Sequence, residues 1–148
     1  MRYELEIVVN LPRSRVIELF DDPDNLAKWQ PGMRSYQHLS GEPGKPGAKA
    51  RLEYDEGGRK VELIETILRR DLPEAFNGYY EGPGVKNWIR NRFVEEGPDQ
   101  TRWIVDTEFA FSGLMKIMAP FMRGGMAKQT QTFMHNFKAF AETTQTAG

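Results

Sequence analysis

The sequence predicts an α+β fold: a curved antiparallel sheet of about seven strands wrapped around one long C-terminal helix, in a single domain over residues 1–148. Three observations predict it. Residues 114 to about 144 read LMKIMAPFMRGGMAKQTQTFMHNFKAFAETT. Leu114, Met118, Phe121 or Met122, Met126, Phe133, Phe137 and Phe140 recur there at helical steps and make one apolar stripe. Between residues 33 and 111, alternating stretches are joined by short Gly/Pro turns, which favours an antiparallel meander. A further alternating stretch opens the chain and can pair with the last strand. At 1.5 Å per residue, roughly thirty helical residues reach about 45 Å. That is more than a small domain needs to close a core, so the strands must wrap around this helix.

The elements follow in order. Tyr3, Leu5, Ile7 and Val9 share one face of a half-buried strand over 3–9. Pro12 suits the first turn of a helix over 13–20, with Val16, Leu19 and Phe20 inward. The run Asp21-Asp22-Pro23-Asp24 caps a second short helix, 25–29, anchored by Trp29 and stopped by Pro31-Gly32. Strands are then expected at 33–39, 48–54, 60–69, 76–81, 85–94 and 101–111. Between them lie the turn-rich 41–47 loop, Gly57-Gly58, Leu72-Pro73, Gly82-Pro83-Gly84 and Gly97-Pro98-Asp99.

The long helix divides in two. Its first half holds Met115, Met118, Met122 and Met126 together with Pro120 and Gly124-Gly125. Proline removes a backbone donor and clashes one turn back, so a kink or a fresh start near residue 120 is expected. The second half has no breaker. The methionines read either as core fillers or as a wall that re-packs around a guest, since thioether side chains adapt to irregular shapes.

Composition excludes several functions. The chain has 20 basic and 21 acidic residues, a net charge of −1, and so no basic excess calling for nucleic acid or an anionic surface. No cysteine is present, which removes disulfides, thiol nucleophiles and thiolate metal sites and fits a reducing compartment. With His38 and His135 as its only histidines, a histidine-rich metal site is out of reach. No apolar run approaches the roughly 18 residues of a bilayer span, so no integral membrane association is expected. The opening residues carry acids where a signal peptide would be apolar, so a cytoplasmic location is expected. No cofactor or metal is called for.

Several stretches resemble the START-like, or helix-grip, superfamily, also called SRPBCC, which includes birch-pollen allergens, lipid-transfer START domains and polyketide cyclases. They are LPRSRVIELFDDPDNLAKWQPG, GAKARLEY, GPDQTRWIVDTEF and the terminal FMHNFKAFAE, which together span nearly the whole chain. The resemblance implies a cavity between sheet and long helix that takes a hydrophobic or amphipathic small molecule. It supplies no catalytic constellation, because the superfamily shares none.

Candidate cavity residues follow from strand parity. On the last strand Trp103, Val105, Thr107, Phe109 and Phe111 should look inward, and Thr107 is either satisfied by backbone or a ligand contact. On 85–94 one face holds Asn87, Ile89, Asn91 and Phe93 and the other Trp88, Arg90, Arg92 and Val94. Burying two guanidinium groups costs far more than burying two amides, which turns Asn87 and Asn91 inward. A single bulge would reverse that choice.

Tyr54 and Tyr80 suit the wall, having apolar bulk and one polar tip. Glu65 shares a parity with Val61, Leu63 and Ile67, and reads as a pocket acid or as an exposed, ion-paired residue. His38, at a strand end near the expected mouth, is a structural histidine or a general base. His135 lies off the stripe and is expected in solvent. Trp29, Met118, Met122, Met126 and Phe133 complete the expected ligand-binding set.

Three functions compete. The leading one is binding or transport of a hydrophobic small molecule. The others are a cyclase- or dehydratase-like enzyme using the same cavity, with Glu65 or His38 as acid or base, and a protein-interaction module. A homodimer is compatible with the sequence.

Overall fold

A computed structural model describes residues 1–147; Gly148 lies outside the described residues. The order is β1 (Arg2–Val9), α1 (Arg13–Phe20), a 3-10 turn (Pro23–Asn25), α2 (Leu26–Trp29), β2 (Met33–Ser40), β3 (Lys49–Glu56), β4 (Arg59–Asp71), β5 (Ala75–Gly82), β6 (Val85–Gly97), β7 (Gln100–Phe111) and α3 (Leu114–Ala147). Local chemistry sets the breaks. Pro12 stands just before α1, where its missing donor costs nothing, and its carbonyl accepts from Val16 N–H at 3.1 Å. Asp22 Oδ1 accepts from Asp24 N–H at 2.9 Å and starts the 3-10 turn.

The strands form one seven-stranded antiparallel sheet in the order β1-β7-β6-β5-β4-β3-β2. The first and last strands in sequence therefore pair, with Leu5 opposite Val105. β6 runs against β7 without a register shift from Val85 to Glu95, which leaves parity intact. Asn87 and Asn91 accordingly face the helix. Arg90 lies on the outer face, 3.9 Å from Asp106 and 3.6 Å from Glu108, where solvent and acids satisfy it. Trp88 packs at a tilt against Tyr79 on that same outer face, with ring centres 5.3 Å apart.

Two apolar clusters hold the helices to the sheet. The larger joins Val9, Val16, Leu19, Trp29, Phe93, Trp103, Val105, Met134, Phe137 and Ala141. Phe137 is fully buried and lies within ring-contact distance of Phe20, Trp29 and Trp103. The smaller cluster joins Met33, Ala50, Leu52 and Tyr54 on β2 and β3. The sheet curves between them, and the two clusters do not merge.

α3 departs from expectation twice. It runs 34 residues without interruption through Pro120, so no fresh start occurs there. Pro120 is exposed. The apolar stripe is also covered only along its second half. Leu114, Ile117, Met118 and Phe121 are 71%, 71%, 46% and 89% exposed. Helical periodicity says which residues share a face, not what lies opposite it. The buried positions further along are Met134, Phe137 and Ala141, with Phe133 and Phe140 on their flanks. His135 is exposed.

Candidate functional site

Between the two clusters lies a cavity of about 650 Å³, walled by residues of all seven strands on one side and by α2 and the second half of α3 on the other. The lining includes Trp29, Tyr54, Tyr80, Asn87, Asn91, Trp103, Phe109, Met126 and Phe133, with Glu65 inside and His38 toward the mouth. Met118 and Met122 are not part of it. Both lie on the first half of α3, Met118 exposed and Met122 half-buried. Thr107 also stands off the wall: its Oγ1 accepts from Asn87 Nδ2 at 2.7 Å, and the side chain is 1% exposed. Its partner is thus a side-chain amide, which parity alone could not reveal.

Register explains the polar interior. The pairings His38–Ala50, Ala50–Glu65, Glu65–Tyr80, Tyr80–Asn87 and Asn87–Phe109 place one row of side chains across six strands. Glu65 is the middle of that row and is 7% exposed. Tyr80 Oη donates to Glu65 Oε2 at 2.7 Å, and Tyr36 Oη donates to Oε1 at 3.3 Å. Among the described residues no cation pairs with Glu65. Burial pushes its carboxyl up from the ordinary value, and the two tyrosine hydroxyls hold it partly back. Burial and then the neighbouring Glu65 charge push Tyr36 and Tyr80 up, so both remain hydrogen-bond donors.

The other polar groups are more fully engaged. Asn91 Oδ1 accepts from Trp103 Nε1 at 3.0 Å, and its Nδ2 donates to the Phe76 carbonyl at 3.1 Å. Asn87 spends its amide donors on Thr107 and on the Glu108 carbonyl. Tyr54 Oη donates to Gln30 Oε1 at 2.7 Å. Tyr3 and Thr130 hydroxyls meet at 2.9 Å and tie α3 to β1. The Trp29 indole N–H has no partner among the described residues and is shut away from the open space, so this side chain contributes bulk to the wall. His38 Nε2 donates to the Gly41 carbonyl at 2.8 Å, which ties it to its own loop rather than to Glu65. At the mouth, Arg70 of β4 and Asp21 after α1 form an ion pair between residues that both line the opening.

Sequence reasoning missed Tyr36 and Gly78. β2 carries register shifts between Met33 and Ser35 and between His38 and Ser40, so no clean alternation marks Tyr36 as inward. A Cβ at Gly78 would come within 2.9 Å of the Tyr80 ring and hydroxyl, so glycine leaves the room in which Tyr80 leans toward Glu65. Gly78→Ala should therefore cost about 1–3 kcal/mol by overpacking. Denaturant melts would show the loss, and an unchanged midpoint would mean that Tyr80 has another place to go.

A pH dependence follows from Glu65. Its folded-state pKa lies above the ordinary value, so the folded protein holds this proton more tightly than the unfolded chain. The resulting stability is full below the unfolded pKa and is lost as pH rises through the folded one. Glu65→Gln lacks this component. Its melting temperature relative to the parent should rise from pH 4 to pH 8, and a difference that stays flat or falls over that range would contradict the burial argument.

The chain matches the model of a family described as "Polyketide cyclase / dehydrase and lipid transport" over residues 1–142. Three solved structures are similar in fold. A START superfamily protein from Mycobacterium smegmatis has a TM-score of 0.81 at 15% identity, covering 96% of this chain and 97% of that one. The Zhui aromatase/cyclase from Streptomyces sp. R1128 scores 0.80 at 13% identity, covering 96% and 93%. A conserved protein from Geobacillus kaustophilus scores 0.81 at 18% identity, covering 97% and 96%. A comparison with curated proteins finds no match. The architecture is the helix-grip fold, as its order of elements implied.

Proposed function

The chain belongs to the polyketide cyclase/dehydrase and lipid transport family, and from that membership and the cavity's geometry we propose that it binds and carries a hydrophobic small molecule with a hydrogen-bond-donating head. One observation carries this reading: an apolar chamber of about 650 Å³ holds, at mid-wall, a buried carboxyl whose two oxygens each have an acceptor site to spare. Small-molecule pockets typically measure about 300–1,000 Å³. Apolar burial at about 25 cal/mol per Å² drives entry. A hydroxyl, phenol or amine N–H on the guest would then complete the Glu65 shell. The Asn87 amide oxygen, which no described residue hydrogen-bonds, offers a second acceptor in the same row.

The test uses N-phenyl-1-naphthylamine, a neutral probe that fluoresces in apolar surroundings, displaced by 2-naphthol or by 2-methoxynaphthalene. The parent protein should bind the probe one to one and prefer naphthol by roughly tenfold, the worth of one hydrogen bond to a charged or strongly polar group. Glu65→Leu should keep probe binding and lose the preference. No rise in fluorescence would defeat the carrier reading; equal displacement by both compounds in the parent would defeat the anchor alone.

A second reading is favoured by the same carboxyl. Held above its ordinary pKa between two tyrosine donors, Glu65 is suited to pass a proton to or from a polyketide-like substrate, as a cyclase or dehydratase would require. Turnover that follows the Glu65 titration and vanishes in Glu65→Gln, with probe binding intact, would favour this reading over passive carriage.

A further inference from the structure

We propose that the N-terminal half of α3 is a docking surface for an anionic lipid bilayer. The motivating feature is independent of what the cavity holds. Leu114, Ile117, Met118 and Phe121 follow steps of three, four and seven, and all are exposed. Phe121, at 89% exposed, is nearly as open as a side chain in an unfolded peptide. Scattered single apolar residues need no explanation, but four on one exposed helical face form a patch, and such patches mark interaction sites.

Charge selects the occupant. From Ser112 through Ala141 the chain has no acidic residue; Lys116, Arg123 and Lys128 lie on or next to the first half of α3, whereas Lys138 is paired with Glu142 at the far end. An exposed apolar helical face backed by basic residues on the opposite side of the same helix, with no acid among them, matches a surface that is apolar beneath and negatively charged above. A second copy of the chain fits less well. A twofold pairing of this half-helix would bring its own cations together. Its four apolar side chains also fall well short of the roughly 20–30 residues a side of a stable protein interface. Insertion into lipid requires no such complementary surface. The same helix continues into the cavity wall through Met126, Thr130 and Phe133, so docking here would seat that end of the chamber beside the bilayer.

The experiment sediments the full chain with vesicles of phosphatidylcholine alone and of phosphatidylcholine with phosphatidylglycerol. The expected result is binding to the second kind, weakened by salt and reduced roughly tenfold or more in Ile117→Ser/Phe121→Ser, since each change removes apolar surface from lipid. Both side chains are exposed, so the variant should fold, and its melting temperature serves as the control. Three outcomes would overturn the proposal. One is a parent protein that stays in solution with both vesicles or binds them equally. Another is a variant that binds as well as the parent. The third is a parent dimer, seen by light scattering, that the variant makes monomeric while neither form binds vesicles.

Discussion

Phe137→Ala is expected to cost about 3–5 kcal/mol, the range for emptying a fully buried aromatic position. Phe137 has no exposed surface, and its ring centre stands 5.2 Å from that of Trp103, 5.4 Å from Trp29 and 6.2 Å from Phe20. These rings come from α3, β7, α2 and α1, so one truncation loosens four elements at once. Their tilted, edge-on arrangement adds about 0.5–1.5 kcal/mol per pair beyond burial. For a chain of this length, each kcal/mol moves the melting temperature by roughly 2–4 °C. Thermal melts should therefore show a fall of about 6–20 °C. A fall of only a degree or two would mean that the neighbouring rings collapse into the space.

Ile89→Trp should have the largest effect on binding. Ile89 lies on the cavity wall, opposite Gly78 on β5 and Thr107 on β7. An indole there has open space ahead of it rather than packed atoms, so the fold should survive while the chamber fills. Binding of N-phenyl-1-naphthylamine should drop by more than roughly tenfold, with the melting temperature unchanged or raised. Overpacking would instead lower the melting temperature. A variant that melts early would mean the interior is already full, and one that still binds the probe would place the probe elsewhere.

The strands were legible because glycine and proline punctuate them and because alternation survives wherever the register is regular. The cost of burying Arg90 and Arg92 favoured Asn87 and Asn91 as the inward face of β6 but left a bulge able to reverse it; the register is regular there, and Arg90 stands among the acids of the outer face. The hollow interior was expected from the resemblance to a family, since alternation gives the same pattern for a filled core. The helix was harder. Leu114, Met118 and Phe121 keep the period of a buried stripe, yet all three are exposed. Met118 and Met122 were placed in the cavity for that reason. Tyr36 escaped notice because β2 is bulged at both ends. Gly78 carried no signal at all, because its role is to be absent where Tyr80 needs room.

The hollow chamber and its carboxyl anchor are tested most directly by a crystal structure of the protein soaked with 6-bromo-2-naphthol, with the bromine located by its anomalous scattering. The predicted result is one bromine site inside the chamber, with the naphthol oxygen within hydrogen-bonding distance of a Glu65 carboxylate oxygen. Bromine found only on the outer surface, over an interior of interlocked side chains, would contradict it.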